Sequence, residues 1–126
     1  MNLTDPKVLK QLLDRHHISP QKRFGQHYLC STNVVTKIVE AASGASGILE
    51  VGPGPGVLTS VLSTICDQLI AIEIDPRSVA MLAETAPKAK IVLGDVLGFN
   101  LEETLMILPC PRVVVSNMPY QITGPF

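Results

Sequence analysis

Apolar positions along the chain follow two different periods. Up to residue 47 they recur at helical spacing; beyond it, short apolar runs alternate with helical stretches. Asp5-Pro6 pairs an N-cap with proline at the first helical position. Val8, Leu9, Leu12 and Leu13 share one face, which predicts an amphipathic helix over 6–16. Pro20 to Leu29 reads as a loop. Ser31 or Asn33 can cap a second helix, with Val34, Val35, Ile38, Val39 and Ala42 as its apolar face and Gly44 and Gly47 ending it.

The period then changes. Ile48 to Val51 is an apolar strand running into Gly52-Pro53-Gly54-Pro55-Gly56, and Val57, Leu58, Val61, Leu62 and Ile65 mark the helix that follows. Leu69 to Ile74 is a second strand, and Asp75-Pro76 caps a third helix. Lys90 to Leu93 is a third strand ending at Gly94-Asp95. A helix is expected over Leu101 to Leu108, and Arg112 to Ser116 is a fourth strand. Near-continuous apolar strands alternating with helices are the signature of a parallel sheet covered on both faces, an α/β fold. Right-handed crossovers reduce the choices to a doubly wound sheet, with strand order 3-2-1-4 for the part present. A ligand belongs beyond the strands' C-terminal ends, at the switch point between strands 1 and 4.

Strand 4 has apolar residues in both pleat directions, yet nothing after it can pair with its free edge. Thr123-Gly124-Pro125 resembles a helix cap with no helix behind it. Both features lead to the expectation that further strands follow in a longer natural chain.

Composition narrows the class. The 126 residues are 46% hydrophobic and 17% charged, a globular balance, and no apolar run is long enough to span a bilayer. The start of the chain has no apolar signal segment. Cys30, Cys66 and Cys110 are odd in number and widely spaced, which is neither a disulfide framework nor a zinc pattern. A reduced, cytoplasmic setting is expected, with no membrane partner and no metal. The net charge of −1 hides an asymmetry: residues 1–30 carry five bases against two acids, and the remaining 96 carry five against nine. A basic arm, 1–30, ahead of a mildly acidic domain, 31–126, suits a polyanion such as nucleic acid. An ordinary solvated helix and loop would look the same.

Chemistry concentrates at the strand ends, where Glu50, Glu73, Asp95 and Asn117 all fall. The turn Gly52-x-Gly54-x-Gly56 departs from the G-x-G-x-x-G dinucleotide fingerprint, which disfavours a nicotinamide enzyme. Its interleaved prolines make a rigid turn whose backbone can approach a ligand; a tight strand-to-helix connection is the alternative. Glu73, 21 residues after Gly52, can accept two hydrogen bonds from a ribose diol. Asp95 can accept an exocyclic adenine amine, or simply cap a helix or close an Asx-turn. In Asn117-Met118-Pro119-Tyr120, an amide oxygen and a nearby backbone carbonyl can both accept hydrogens from an aromatic amine. Proline adds no competing donor, and tyrosine offers a stacking face worth about 1–3 kcal/mol per base. The same four residues would also serve as a strand-to-loop turn.

Glu50-Val-Gly-Pro-Gly-Pro-Gly56, Ile72-Glu-Ile-Asp75, Gly94-Asp95 and Asn117-Met-Pro-Tyr120 resemble the S-adenosylmethionine-dependent adenine N6-methyltransferases. Lys22-Arg-Phe-Gly-Gln-His-Tyr-Leu29 is similar to the opening segment of the ribosomal RNA adenine dimethyltransferases. The match runs over residues 21–126, and that family's chain is about twice as long. The resemblance implies a Rossmann-like methyltransferase fold, S-adenosyl-L-methionine as cofactor, and dimethylation of two adjacent adenosines near the 3′ end of small-subunit ribosomal RNA. It also implies the 30S pre-ribosomal subunit as partner. His27, Leu29, Gly52 and Gly54 would contact the cofactor, the first three at its methionine end; Glu73 would hold the ribose, and Asp95 the cofactor adenine. Asn117 would meet both the cofactor and the target amine, with the Pro119 carbonyl as second acceptor and Tyr120 stacked on the target adenine. Lys22 and Arg23, with Lys7 and Lys10, would meet RNA phosphates. His27 departs from the family, which usually has asparagine there. Adenine methylation on another RNA or on DNA, and a non-catalytic RNA-binding module, are the competing expectations.

Overall fold

A computed structural model describes residues 2–18 and 32–116. Helix α1 spans Pro6–Arg15, and the Asp5 side chain accepts from the Lys7 N–H at 2.9 Å, the predicted cap. Its Leu9, Leu12 and Leu13 are buried. Helix α2 spans Thr32–Ala42. Strand β1 (Gly47–Val51) leads through the glycine turn into α3 (Val57–Ile65). Then come β2 (Gln68–Glu73), α4 (Pro76–Thr85), β3 (Lys90–Leu93), a short 3₁₀ turn (Val96–Gly98), α5 (Leu101–Met106) and β4 (Arg112–Ser116).

The four strands form one parallel sheet in the order β3-β2-β1-β4, as the alternation of strands and helices predicts. Burial follows position in the sheet. Every residue of β1 is buried and all but the first of β2, whereas β3 and β4 are exposed or half-buried except at Val115. One face packs Ile48, Leu69 and Val115 against α1, α2, α3 and Met81 of α4. The other packs Leu49, Val51, Ile70 and Ile72 under Val96, Leu101, Leu105 and Leu108. The chain therefore changes sheet face between β3 and β4, while passing from one edge to the other.

Three local readings are corrected. Gly47 opens β1 instead of ending α2. A Cβ there would lie 2.8 Å from the Pro109 carbonyl oxygen, so close backbone approach, not helix termination, explains this glycine. Strand β2 stops at Glu73, so Ile74 leaves the sheet and is 47% exposed instead of belonging to the core. The helix expected over 101–108 stops at Met106, because Leu108 turns back into the core beneath the sheet.

Candidate functional site

The tips of β1, β2 and β3 are laced together by backbone hydrogen bonds. The Gly52 N–H donates to the Ile72 carbonyl at 2.9 Å, and the Gly94 N–H to the Glu73 carbonyl at 2.8 Å. Gly52, Glu73 and Asp95 thus stand side by side along the carboxyl edge of the sheet. Ser116, one residue before Asn117 in the chain, is in register with Val51 on the other side of β1.

Gly52, Gly54 and Gly56 all have positive φ, so the turn needs a residue without a Cβ at each. At Gly56 a Cβ would also overlap the Thr85 hydroxyl. That hydroxyl donates to the Pro55 carbonyl at 3.0 Å and ties the turn to α4.

Glu73 is the centre of the arrangement. It is 3% exposed, and its two oxygens accept the Gly54 N–H at 2.7 Å and the Asp75 N–H at 2.8 Å. Burial raises its pKa above the ordinary carboxylate value, and the Asp75 charge adds to the rise; the N–H groups of Asp75, Gly54 and Ile74 oppose it. A carboxylate oxygen carries two lone pairs. With the N–H groups of Gly54, Asp75 and Ile74 all directed at the carboxyl, one of its four lone-pair positions remains open toward a ribose hydroxyl. Asp75 caps α4 through the Arg77 N–H at 3.0 Å and pairs with the Arg77 guanidinium at 2.6 Å, which fixes the chain just past Glu73.

Asp95 is exposed and caps the 3₁₀ turn, one oxygen accepting the Leu97 N–H at 3.0 Å. The capping role is therefore real. Its second oxygen takes no donor among the described residues, and the 47% exposed Ile74 supplies an apolar surface at the neighbouring strand tip. One feature escaped the sequence patterns, the buried pairing of Glu50 with Thr59. Glu50 is 2% exposed, and it accepts the hydroxyl of fully buried Thr59 at 2.6 Å. Burial, then the nearby Glu73 charge, outweigh that hydrogen bond and push the Glu50 pKa up to about 7. The signal was a polar residue at a core-facing helical position: Thr59 lies on the stripe with Leu62 and Cys66. Lys22, Arg23, His27, Leu29, Asn117, Pro119 and Tyr120 lie outside the described residues.

An open hollow of about 240 Å³ lies at the other end of the sheet, lined by Asp67, Gln68, Lys88, Lys90 and Ile107 among others. It contains none of the strand-tip groups. Among the described residues no three His, Cys, Asp or Glu gather as a metal site requires, and no helix is long and apolar enough to cross a membrane.

A family model described as ribosomal RNA adenine dimethylase matches residues 17–126. Ribosomal RNA small subunit methyltransferase A of Streptococcus agalactiae is 35% identical over 99% of this chain and 46% of that protein. The protein of the same name from Streptococcus pneumoniae is 37% identical with the same coverage. The chain spans about half the length of the curated relatives it matches. Among solved structures, a dimethyladenosine transferase from Plasmodium falciparum superposes with a TM-score of 0.60 at 28% identity, covering 79% of this chain and 36% of that one. The 23S rRNA methyltransferase ErmE gives 0.59 at 30% identity, covering 77% and 39%. With the family model covering most of its length, this chain belongs to the ribosomal RNA adenine dimethylase family.

Proposed function

We propose that the strand-tip shelf binds S-adenosylmethionine, and that the protein transfers its methyl groups to N6 of two adjacent adenosines near the 3′ end of small-subunit ribosomal RNA. The observation that carries the reading is the buried Glu73 carboxylate, locked against the glycine turn by the Gly54 N–H with acceptor capacity to spare. That donor set suits a ribose diol. The names of the relatives support an RNA adenine as acceptor and the small ribosomal subunit as its source. The 30S precursor as partner is part of the same proposal.

When bound, the cofactor supplies an electrophilic methyl group on a sulfonium. The rest falls to this chain's residues. Glu73 holds the ribose, and the open oxygen of Asp95 accepts the cofactor's adenine amine beside Ile74. The target N6 is a poor nucleophile because its lone pair is delocalised into the ring. Acceptance of its two hydrogens by the Asn117 amide oxygen and the Pro119 carbonyl favours a pyramidal nitrogen and frees the lone pair, an interaction that strengthens toward the transition state. Tyr120 stacks on the base, which must be unstacked from the RNA to reach it. His27, Leu29 and Gly52 hold the methionine end and Gly54 also contacts the cofactor, while Lys22 and Arg23 meet RNA phosphates.

The test is transfer of labelled methyl groups from S-adenosylmethionine to small ribosomal subunits, run with this chain and with a relative of full family length, each as wild type and as the variant altered at the position of Asn117. Loss of transfer with retained RNA binding in Asn117→Ala is expected. Transfer at the wild-type rate would remove Asn117 from the mechanism. RNA binding without transfer by any wild-type protein would favour the non-catalytic module.

A further inference from the structure

Glu50 has a place in the shelf that ribose and adenine recognition leave unused. It is on β1, two residues before Gly52, and pairs in register with Ala71 of β2. Because side chains alternate along a strand, Glu50, Ala71 and Glu73 face the same side of the sheet. The two carboxyls are therefore diagonal neighbours beneath the turn. Glu50 Oε1 takes the Thr59 hydroxyl, and no other donor among the described residues reaches the carboxyl. Among the described residues its surroundings hold no cation. Helix α3 has no charged residue. The charges of α1 (Lys7, Lys10, Asp14, Arg15) and α2 (Lys37, Glu40) are exposed, and half-buried His16 pairs with Glu84 of α4. On β4 the only charge is Arg112, at the opposite end of the strand from Ser116. Beyond β2, Arg77 is engaged with Asp75. A buried carboxyl with one neutral donor and an acidic neighbour favours its neutral form.

We infer that Glu50 is a proton-carrying positioning residue: it keeps its proton in the free protein and releases it to solvent when the cationic methionine end of the methyl donor settles over the glycine turn. The inference rests on the cofactor reading above. The balance is simple. The Glu50 O–H bond breaks, the proton passes to buffer, and the carboxylate left behind is stabilised by the arriving positive charge. The turn thereby gains a negative countercharge only when a cation is present to use it. An uncharged adenosine compound gains nothing from it.

Titration calorimetry in buffers of different ionisation enthalpy counts the protons released. The probes are S-adenosylmethionine and 5′-methylthioadenosine; the second has the same ribose and adenine but no charged end, so it reports any proton lost from Glu73 alone. With Glu50 about half protonated at pH 7, S-adenosylmethionine should release about half a proton more than 5′-methylthioadenosine. Its affinity should be about tenfold tighter at pH 8 than at pH 6. In Glu50→Gln the extra release and the pH slope should both fall to the part that the ligand's own α-ammonium group contributes. Equal release by the two probes, or unchanged release in Glu50→Gln, overturns the inference while the cofactor reading stands. Failure of S-adenosylmethionine to bind at any pH overturns both. Should Glu50→Gln not fold, the ¹³C shift of the Glu50 carboxyl in the wild-type chain gives the answer: with ligand its titration midpoint must fall by at least one pH unit, and an unmoved midpoint refutes the idea.

Discussion

At the residue scale, the cost of placing carboxyls under the turn has a definite sign. The Glu50 pKa stands at about 7 in the folded chain against 4.5 when unfolded. The folded state therefore binds more protons between those values, and stability falls as pH rises through that window. Two and a half units correspond to about 3 kcal/mol, fully expressed above pH 7 and absent below about pH 4.5. Glu73 is shifted the same way and adds to the trend. Glu50→Gln should flatten the curve and make the chain more resistant to urea at pH 8 than the wild type, with little difference at pH 4.5. A second residue-scale test is Gly56→Ala. Its φ of +97° and the overlap with Thr85 act together, so a loss of about 1–3 kcal/mol in chemical denaturation is expected. The positions of Glu73 and Asp95 at strand tips were legible in the sequence, Glu73 from its spacing after the glycine turn and Asp95 from the Gly94 that ends an apolar run. The part played by Glu50 was not, because it depends on Thr59 nine residues later, on a different element. Apolar periodicity places elements but does not say which polar atoms meet across them.

At the scale of elements, two anchors of very different strength hold α1. Arg15 and His16 pair with Glu84 on α4, but Arg15 is 54% exposed and Glu84 38%. Exposed pairs contribute roughly 0–1 kcal/mol. Leu12 is fully buried against the sheet, and deleting such a side chain costs about 2–5 kcal/mol. Arg15→Ala should therefore leave the thermal midpoint almost unchanged, whereas Leu12→Ala should lower it steeply; similar losses from both would mean that the ion pair, not the apolar stripe, docks the helix. The sequence pointed to the stripe correctly, since Val8, Leu9, Leu12 and Leu13 fall at helical spacing. Its partner on α4 could not be read, because nothing local links Arg15 to a residue 69 positions away. Strand ends were legible to within a residue. The error at Ile74 arose because an apolar residue extends a strand pattern by one place, whether it enters the core or stays on the surface.

For the whole molecule, strand order came from a rule about crossovers, not from any single residue, which is why it was readable while Gly47 and Leu108 were misplaced. The order puts β1 between β2 and β4, and with it the glycine turn between Glu73 and the end of the chain segment that leads to Asn117. A ligand on this shelf touches groups from several strands at once, so it should stabilise the fold as a unit and not just one loop. Mass action makes that quantitative: ligand at 100 times its Kd adds about 2.7 kcal/mol. For a chain of 126 residues that is a rise of roughly 10 °C in the thermal midpoint. S-adenosylmethionine should produce such a rise in scanning calorimetry and NAD should not, because the G-x-G-x-G turn lacks the third glycine spacing that seats a pyrophosphate at the helix start. Removing the carboxylate proposed to hold the diol tests the same point from the protein's side. Glu73→Ala removes both acceptor oxygens and strands the Gly54 and Asp75 N–H groups, so it should lower the midpoint of the free chain and abolish the ligand-induced rise. A Glu73→Ala chain that still gained 10 °C from the cofactor would show the ribose to be held elsewhere.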